Sequence, residues 1–395
     1  MLPARQIMPP QWMTDYRTVK VMQTLGAYEI PSRAMFVGGC VRNALMDVPV
    51  SDIDIATTRH PLQVIERLSA HGIRYIPTGL EHGTVTAIID DAVFEITTLR
   101  KDIETNGRHA VISFTDKWEE DALRRDFTIN TLLATPDGMI FDPTGRGLSD
   151  LDDRRVVFVG IASERIAEDY LRILRFYRFN ARYGIGAPDD EAITACRDNA
   201  DKIAELSRER VTQEFVKIIQ LNTAPAALSL MFENGALPDI GKNYDRAVME
   251  RFCDFQTRHD VRDDFARIAL LLLDGAAGEG AFAFSNAQKK HMQDVRNALS
   301  CLKTASRKKI REAVYRFGNA VTLQGYFIRL ALRDDLPDLD LLDIARYWQA
   351  PSFPIGGADL MAQGISPGPA LGQKLQELEE KWIKSDFSPE FKWQK

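Results

Sequence analysis

The sequence predicts an α+β protein, with a head carrying a small mixed β-sheet over residues 1–150 and an extended all-α remainder. Two observations carry this. Between residues 21 and 150, short apolar runs of strand character alternate with stretches of helical spacing. From about residue 160 onward every segment with a clear apolar period has the helical one, and no strand pattern returns.

The elements follow in order. MFVGG reads as a buried strand ending in a glycine turn, VRNALM as a helix and SDIDIAT as a second strand. PLQVIERLSAHG has helical spacing and a glycine stop. TVTAIID and VFEITTLR read as strands around an Asp90-Asp91 turn. Residues 100–117 are polar and contain Asn106-Gly107, which predicts a mobile loop. ERIAEDYLRILRFYRFNARYG predicts one helix, and EAITACRDNADKIAEL and RERVTQEFVKIIQ continue the helical pattern. The division expected is a head over 1–150, a helical neck over 151–220 and a helical body and tail over 221–395.

The chain has 395 residues, 45% of them hydrophobic and 27% charged, the balance of an ordinary globular protein. A formal net charge of −6 does not announce a nucleic-acid binder, although local basic faces matter more than the total. The four cysteines, Cys40, Cys196, Cys253 and Cys301, form no C-x-x-C pair, so a zinc site or disulfide framework is not expected. The longest apolar run, residues 268–273, is too short to span a bilayer. MLPARQIMPPQWM lacks the apolar core of a signal peptide, and a cytoplasmic protein is expected.

The chemistry concentrates in residues 36–56, FVGGCVRNALMDVPVSDIDIA. Strand side chains alternate faces, so Asp52 and Asp54 converge on one spot while Ile53 and Ile55 turn to the core. Two adjacent carboxylates repel unless a cation lies between them, and Mg²⁺ favours carboxylate oxygens with substrate phosphates. Gly38 and Gly39 let backbone N–H groups approach a phosphate closely, and Arg42 follows them. A D-x-D triplet alone is weak: Asp338 and Asp340 form another, better explained as a helix cap or solvated acidic face.

Further motifs stand in order behind this stretch: RRDFTIN (124–130), FDPTGRGLSDLDDR, EDYLRILRFYRF and SRERVTQEF. Together with VGGCVR and SDIDIAT the set resembles the class II tRNA nucleotidyltransferases, the CCA-adding enzymes and bacterial poly(A) polymerases of the DNA polymerase beta superfamily. The resemblance covers nearly the whole chain. It implies a nucleotidyltransferase head and two Mg²⁺ ions on Asp52 and Asp54 as the catalytic residues. It also implies attack of a tRNA 3′-hydroxyl on the nucleotide α-phosphate, with CTP and ATP as substrates and pyrophosphate released. Glu95 could assist the pair. Gly39, Arg42 and Arg125 match nucleotide-binding positions, with Gly38, Asp126 and Asn130 in support.

Glu168, Asp169 and Arg172 form an E-D-x-x-R motif, and on one helix Asp169 and Arg172 would be i,i+3 neighbours. Cytosine and adenine both set an exocyclic amino donor beside a ring-nitrogen acceptor. A carboxylate can accept from the first and a guanidinium can donate to the second. In the family this protein pair replaces a template strand, which assigns base recognition to Asp169 and Arg172, with Glu168 orienting Arg172. Arg175 and Arg178 match nucleotide-binding positions of the same motif. LSRERVTQEFVKII and the segment over 100–117 favour full CCA addition; the rival is a poly(A) polymerase or A-adding enzyme of the same family.

Where the family carries an aspartate after V-R, this chain has Asn43, which cannot form an ion pair with Arg42. The lone His259-Asp260 doublet is expected to be structural. The partner implied is tRNA, through its 3′ end and acceptor arm, with no membrane and no stable protein partner. Residues 289–316 hold nine Lys and Arg against Asp294 and Glu312. Within this run Lys289, Lys290, Arg307, Lys308, Lys309 and Arg311 are the candidate tRNA contacts, because phosphate contacts dominate nucleic-acid affinity.

Overall fold

The structure, a computed structural model, describes residues 1–106, 109–237, 244–273 and 278–391. The chain forms two compact units: Met1–Glu214 with Glu233–Ala236, and Phe215–Phe232 with Leu237–Lys395.

The first unit is built on strands β1 (Arg5–Gln6), β2 (Ala34–Val37), β3 (Ile53–Thr57), β4 (Arg74–Gly79), β5 (Thr84–Ile89), β6 (Ala92–Thr98), β7 (Arg100–Asn106), β8 (His109–Phe114), β9 (Leu133–Ala134) and β10 (Met139–Phe141). Eight of them form one sheet in the order β1-β10-β9-β2-β3-β6-β5-β4. It is mixed, as expected: β3 and β6 run parallel and the other pairs antiparallel. With eight strands it is larger than the small sheet predicted. The central strand β2 is buried at every position, as a strand covered on both faces must be. In β6 the pattern alternates: Phe94, Ile96 and Thr98 are buried while Val93 and Glu95 face water. Met35, Val37, Ala56, Leu99 and Leu133 pack as one core layer, with Trp118 and Phe141 against them.

Two expectations are corrected here. Residues 100–117 are not a loop: β7 and β8 pair as an antiparallel ribbon from Arg100↔Phe114 to Asn106↔His109. Its base is sewn to the sheet by Leu99 N–H to Thr57 O and Thr115 N–H to Leu99 O. Backbone pairing makes such a ribbon without an apolar face, so its polar sequence resembled a loop. The Asn106-Gly107 turn falls at residues 107–108, outside the described residues. Nor is 164–184 one helix. Ala162–Glu168 ends at Asp169, which is extended (φ −158°, ψ 104°), and a new helix runs Leu171–Tyr183. The Asp169 carboxylate accepts from Leu171 N–H at 3.2 Å, starting the second helix as a short polar side chain does at a helix entry.

That second helix buries Leu171, Ile173, Leu174, Phe176, Tyr177, Phe179 and Tyr183, so it is enclosed on most sides. Phe127 lies at its centre, 4.9 Å from Phe158 and 5.0 Å from Phe179 between ring centroids. Phe127 therefore anchors RRDFTIN against the Leu171–Tyr183 helix through aromatic burial.

The described part of the second unit is helical. Its longest element, Arg307–Arg333, is kinked at Gly318 (φ 81°). Gly325 in this helix meets Leu299 and Ala298 so closely that a Cβ would come within 2.9 Å of both, which makes glycine the residue that lets the two helices touch. A buried polar knot joins Arg267, Gln256 and Gln324. The described residues include no helix long and apolar enough to cross a membrane.

Candidate active site and base-recognition set

Strand β2 delivers the chain to Gly38, whose φ of 71° and ψ of −124° suit glycine and strain any other residue. The helix Gly39–Leu45 begins immediately after it. Cys40 donates from its thiol to Val37 O (3.2 Å) and Asp54 O (3.6 Å), fastening this turn to β3. Asp52 precedes β3 and is exposed; Asp54 lies inside the strand and is half-buried. Asp54 pairs in parallel register with Glu95 of β6, which puts both side chains on the same face. Burial, then the charges of Glu95 and Asp52, push the Asp54 carboxyl up to about 6, against the pull of Arg125 and Arg42. Asp54 thus has two further carboxylates near enough to act on its charge.

The donor set fits Mg²⁺. Among the described residues no three His, Cys, Asp or Glu side chains close into a metal cage by themselves. Mg²⁺ uses one or two carboxylates and completes its shell with water and substrate phosphates, so an open carboxylate face is the appropriate chemistry.

Arg125 and Arg42 approach this face differently. Arg125 Nη1 lies 3.5 Å from the point where Gly38 would carry a Cβ. Asp121 holds the other edge of its guanidinium, at Nε (3.2 Å) and Nη2 (2.9 Å). Arg42 is only 6% exposed, and its donors are engaged by Asn43 (2.9 Å from Nη2), Asn130 and the Tyr183 hydroxyl (2.7 Å). Its guanidinium carbon lies 4.1 Å from the centroid of the Tyr183 ring. Burial pulls the Arg42 pKa down. Asn43 forms no ion pair with Arg42, but its amide oxygen accepts two of its hydrogen bonds, doing without charge what a carboxylate would do with it. Arg42 accordingly supplies a fixed positive field from behind the glycine turn.

A continuous chain of polar contacts leaves Arg42. Asn130 accepts from Arg42 and donates to Asp126 at 2.9 Å. Asp126 Oδ2 accepts from both Nε (2.8 Å) and Nη2 (2.5 Å) of Arg175, and Oδ1 accepts Phe127 N–H at 2.9 Å. Burial would raise the Asp126 pKa, and Arg175 with Asn130 outweighs it and holds the carboxyl below its ordinary value. Arg175 and Arg178 also meet Glu214, the latter at 2.6 Å. Phe179 lies beneath Arg42, Arg175 and Arg178 together.

The base-recognition candidates stand where the helix breaks. Glu168 pairs with Arg172 and Arg165, each at 2.5 Å. Arg172 also donates to Arg165 O (2.8 Å) and Arg124 O (3.2 Å). Asp169 is not an in-helix neighbour of Arg172, and its carboxylate is held instead by Arg210, at 2.7 Å. Both side chains remain partly open to solvent, at 27% and 14%. Glu168 thus fixes one end of the Arg172 guanidinium.

Comparison with known proteins supports the same reading. Residues 34–157 match the poly A polymerase head domain, and residues 187–245 match a probable RNA- and SrmB-binding site of polymerase A. Mitochondrial CCA tRNA nucleotidyltransferase 1 of Mus musculus is 34% identical over 374 residues, 89% of this chain and 83% of that protein. The chain belongs to the CCA-adding enzymes. The CCA-adding enzyme of Streptococcus sanguinis is 32% identical over 88% of each chain. The Bacillus stearothermophilus CCA-adding enzyme in complex with CTP shares the fold, with a TM-score of 0.76 over 94% of both chains at 24% identity. The Thermotoga maritima CCA-adding enzyme complexed with tRNA aligns with a TM-score of 0.67 over 99% of this chain and 97% of that one.

Within this CCA-adding family member, four of the six candidate tRNA contacts have partners in the chain itself. Arg307 pairs with Asp340, Lys309 with Glu312 and Arg311 with Asp386, while Lys308 donates to Lys384 O. The acids come from up to 75 residues away, so counting charge along 289–316 overstated it. Lys289 and Lys290 are exposed. His259 stacks on Phe327 with ring centroids 5.1 Å apart, in keeping with a structural role. The residues missed were Asp121, Glu214, Arg210 and Tyr183. The EED run ending at Asp121 resembled an ordinary acidic helix start, and Arg210 and Glu214 lay in a motif used only to recognise the family.

Proposed function

We propose that this chain is a CTP(ATP):tRNA nucleotidyltransferase that builds or repairs the 3′-terminal CCA of tRNA without a nucleic-acid template. The observation carrying this is the unbroken polar chain, within one compact unit, from Arg42 behind the glycine turn through Asn130 and Asp126 to Arg175. It supports reading the glycine turn and the Leu171–Tyr183 helix as parts of one nucleotide site. Names of relatives and fold neighbours that include CCA addition, CTP and tRNA support the same conclusion.

Asp52 and Asp54, with Glu95 beside them, would hold two Mg²⁺ ions that lower the pKa of the attacking 3′-hydroxyl and neutralise the triphosphate. Arg125 would meet the triphosphate through its free Nη1 edge, over the close backbone approach that Gly38 and Gly39 allow. Arg42 would add positive potential from the buried side. Arg175 and Arg178 would fix the nucleotide against the neck, held there by Asp126 and Glu214. The Asp169 carboxylate would accept from the exocyclic amino group of C or A, and Arg172 would donate to the adjacent ring nitrogen. Uracil and guanine present the opposite polarity. In-line attack on the α-phosphate then expels pyrophosphate. Cytoplasmic operation fits four free cysteines, three of them buried.

The deciding assay supplies CTP, ATP, UTP and GTP separately to tRNA lacking its CCA end. Incorporation of C and then A is expected. Incorporation of A with no C would assign the chain to the poly(A) polymerase or A-adding branch, which the name of the matched head domain also accommodates.

A further inference from the structure

Asp121 lies on the helix Trp118–Leu123, outside every motif used above, and is 3% exposed. Its carboxylate carries an unusual load. Oδ2 accepts Arg125 Nε (3.2 Å) and Nη2 (2.9 Å). Oδ1 accepts Arg124 Nε (2.8 Å), with Arg124 Nη2 at 2.7 Å, and also the backbone N–H of Arg100 at 3.2 Å. One carboxylate therefore fixes two consecutive arginines and the first residue of the β7–β8 ribbon.

The two arginines lead to different places. Arg125, gripped along one edge, presents Nη1 beside Gly38 and acts on the Asp54 carboxyl. Arg124 turns its side chain inward to Asp121, and its backbone oxygen receives Arg172 Nη2 at 3.2 Å. Without Asp121 two adjacent guanidiniums would lie in the same partly dry pocket with only each other for company, and like charges that close repel. Their side chains would turn outward, and both the Arg125 edge and the Arg124 carbonyl would lose their aim.

We infer that Asp121 is a positioning residue for both halves of nucleotide recognition, holding Arg125 to the triphosphate and, through the Arg124 carbonyl, Arg172 to the base. This rests on the nucleotidyltransferase function proposed above. It goes beyond that proposal in tying triphosphate affinity and base choice to one side chain that touches neither.

The test uses the full chain and two substitutions, Asp121→Asn and Asp121→Glu, each checked for folding by circular dichroism and thermal melting. Inorganic tripolyphosphate, which has no base, probes the Arg125 edge directly by calorimetry. Asp121→Asn is expected to weaken tripolyphosphate binding about tenfold, the scale of one lost charge-assisted hydrogen bond. The same variant should lower the preference for CTP over UTP, and Asp121→Glu, which keeps the charge, should recover part of both. In an Arg125→Ala background Asp121→Asn should weaken tripolyphosphate no further, because its effect runs through Arg125. A merely structural role would lower stability and leave tripolyphosphate affinity and the CTP-to-UTP ratio of the folded fraction as they were, and that result overturns the proposal. Should Asp121→Asn not fold, Asp121→Ser takes its place, and wild-type tripolyphosphate affinity in that variant overturns the proposal equally. A wild-type chain that binds no tripolyphosphate refutes the placement of Arg125 and the positioning role with it. A wild-type chain that binds tripolyphosphate yet incorporates no CTP refutes CCA addition alone.

Discussion

Replacing Asp126 with asparagine removes a single charge from the middle of the polar chain. The carboxylate accepts four hydrogen bonds, two of them from Arg175. An amide keeps the shape, but one of its ends is a donor and meets donors. Neutralising one partner of a buried ion pair costs about 3–5 kcal/mol. The Arg175 side chain is 32% exposed and recovers some hydration, so the lower end, about 3 kcal/mol, applies. For a unit of some two hundred residues that is a fall in Tm of about 6–12 °C. The pH dependence has a definite sign. The folded pKa of Asp126 lies below its unfolded value, which is about 3.9. Its contribution is therefore complete above roughly pH 5 and is lost as pH falls toward the folded pKa. Urea denaturation of both proteins at pH 7, 5, 4 and 3 should show a stability gap that is constant at the first two and narrows at the last two. A gap under about 0.5 kcal/mol at pH 7, where surface substitutions ordinarily fall, or one that widens toward low pH, would refute the assignment of a stabilising buried charge.

Three further outcomes are expected. Asp54→Ala should abolish nucleotide incorporation while leaving the melting profile and tRNA retention on filters close to wild type; residual turnover near the wild-type rate would exclude Asp54 as a metal ligand. Gly38→Ala should cost about 1–2 kcal/mol, because an L-residue is strained at φ 71°, and equal urea midpoints would show that the turn relaxes. Lys289→Glu with Lys290→Glu should lower the salt dependence of tRNA binding by about two counterion contacts, measured as the slope of log K against log salt, and an unchanged slope would remove that helix face from the RNA surface.

Most of the head was legible because its elements are marked by short-range pattern. The run 35–39 and the alternation in 92–98 are strand periods, and both formed strands. The break at Asp169 was not legible: apolar residues continue at helical spacing on both sides of it, and what ends the first helix is a carboxylate drawn to Leu171 N–H and to Arg210, 41 residues onward. The net charge of the run 289–316 was illegible for the same kind of reason. Arg307 and Arg311 pair with Asp340 and Asp386, which lie beyond the run, so a local count registers these charges and misses their neutralisation. Strand alternation pointed to Asp52 and Asp54 together, although Asp52 lies just before β3, and the family resemblance suggested Glu95, which the parallel register of β3 and β6 sets beside Asp54.

The thiol of Cys40 is bonded to the carbonyl of Asp54 and is 1% exposed, and burial pushes its pKa up to about 12. Peroxide and alkylating agents react with thiolate, and at neutral pH this sulfur carries almost none. The sulfur bonded to the Asp54 backbone is thus chemically inert, and oxidative damage to this chain would have to begin elsewhere. Cys301 is only partly covered, so it is the thiol that a mild labelling reagent should reach first.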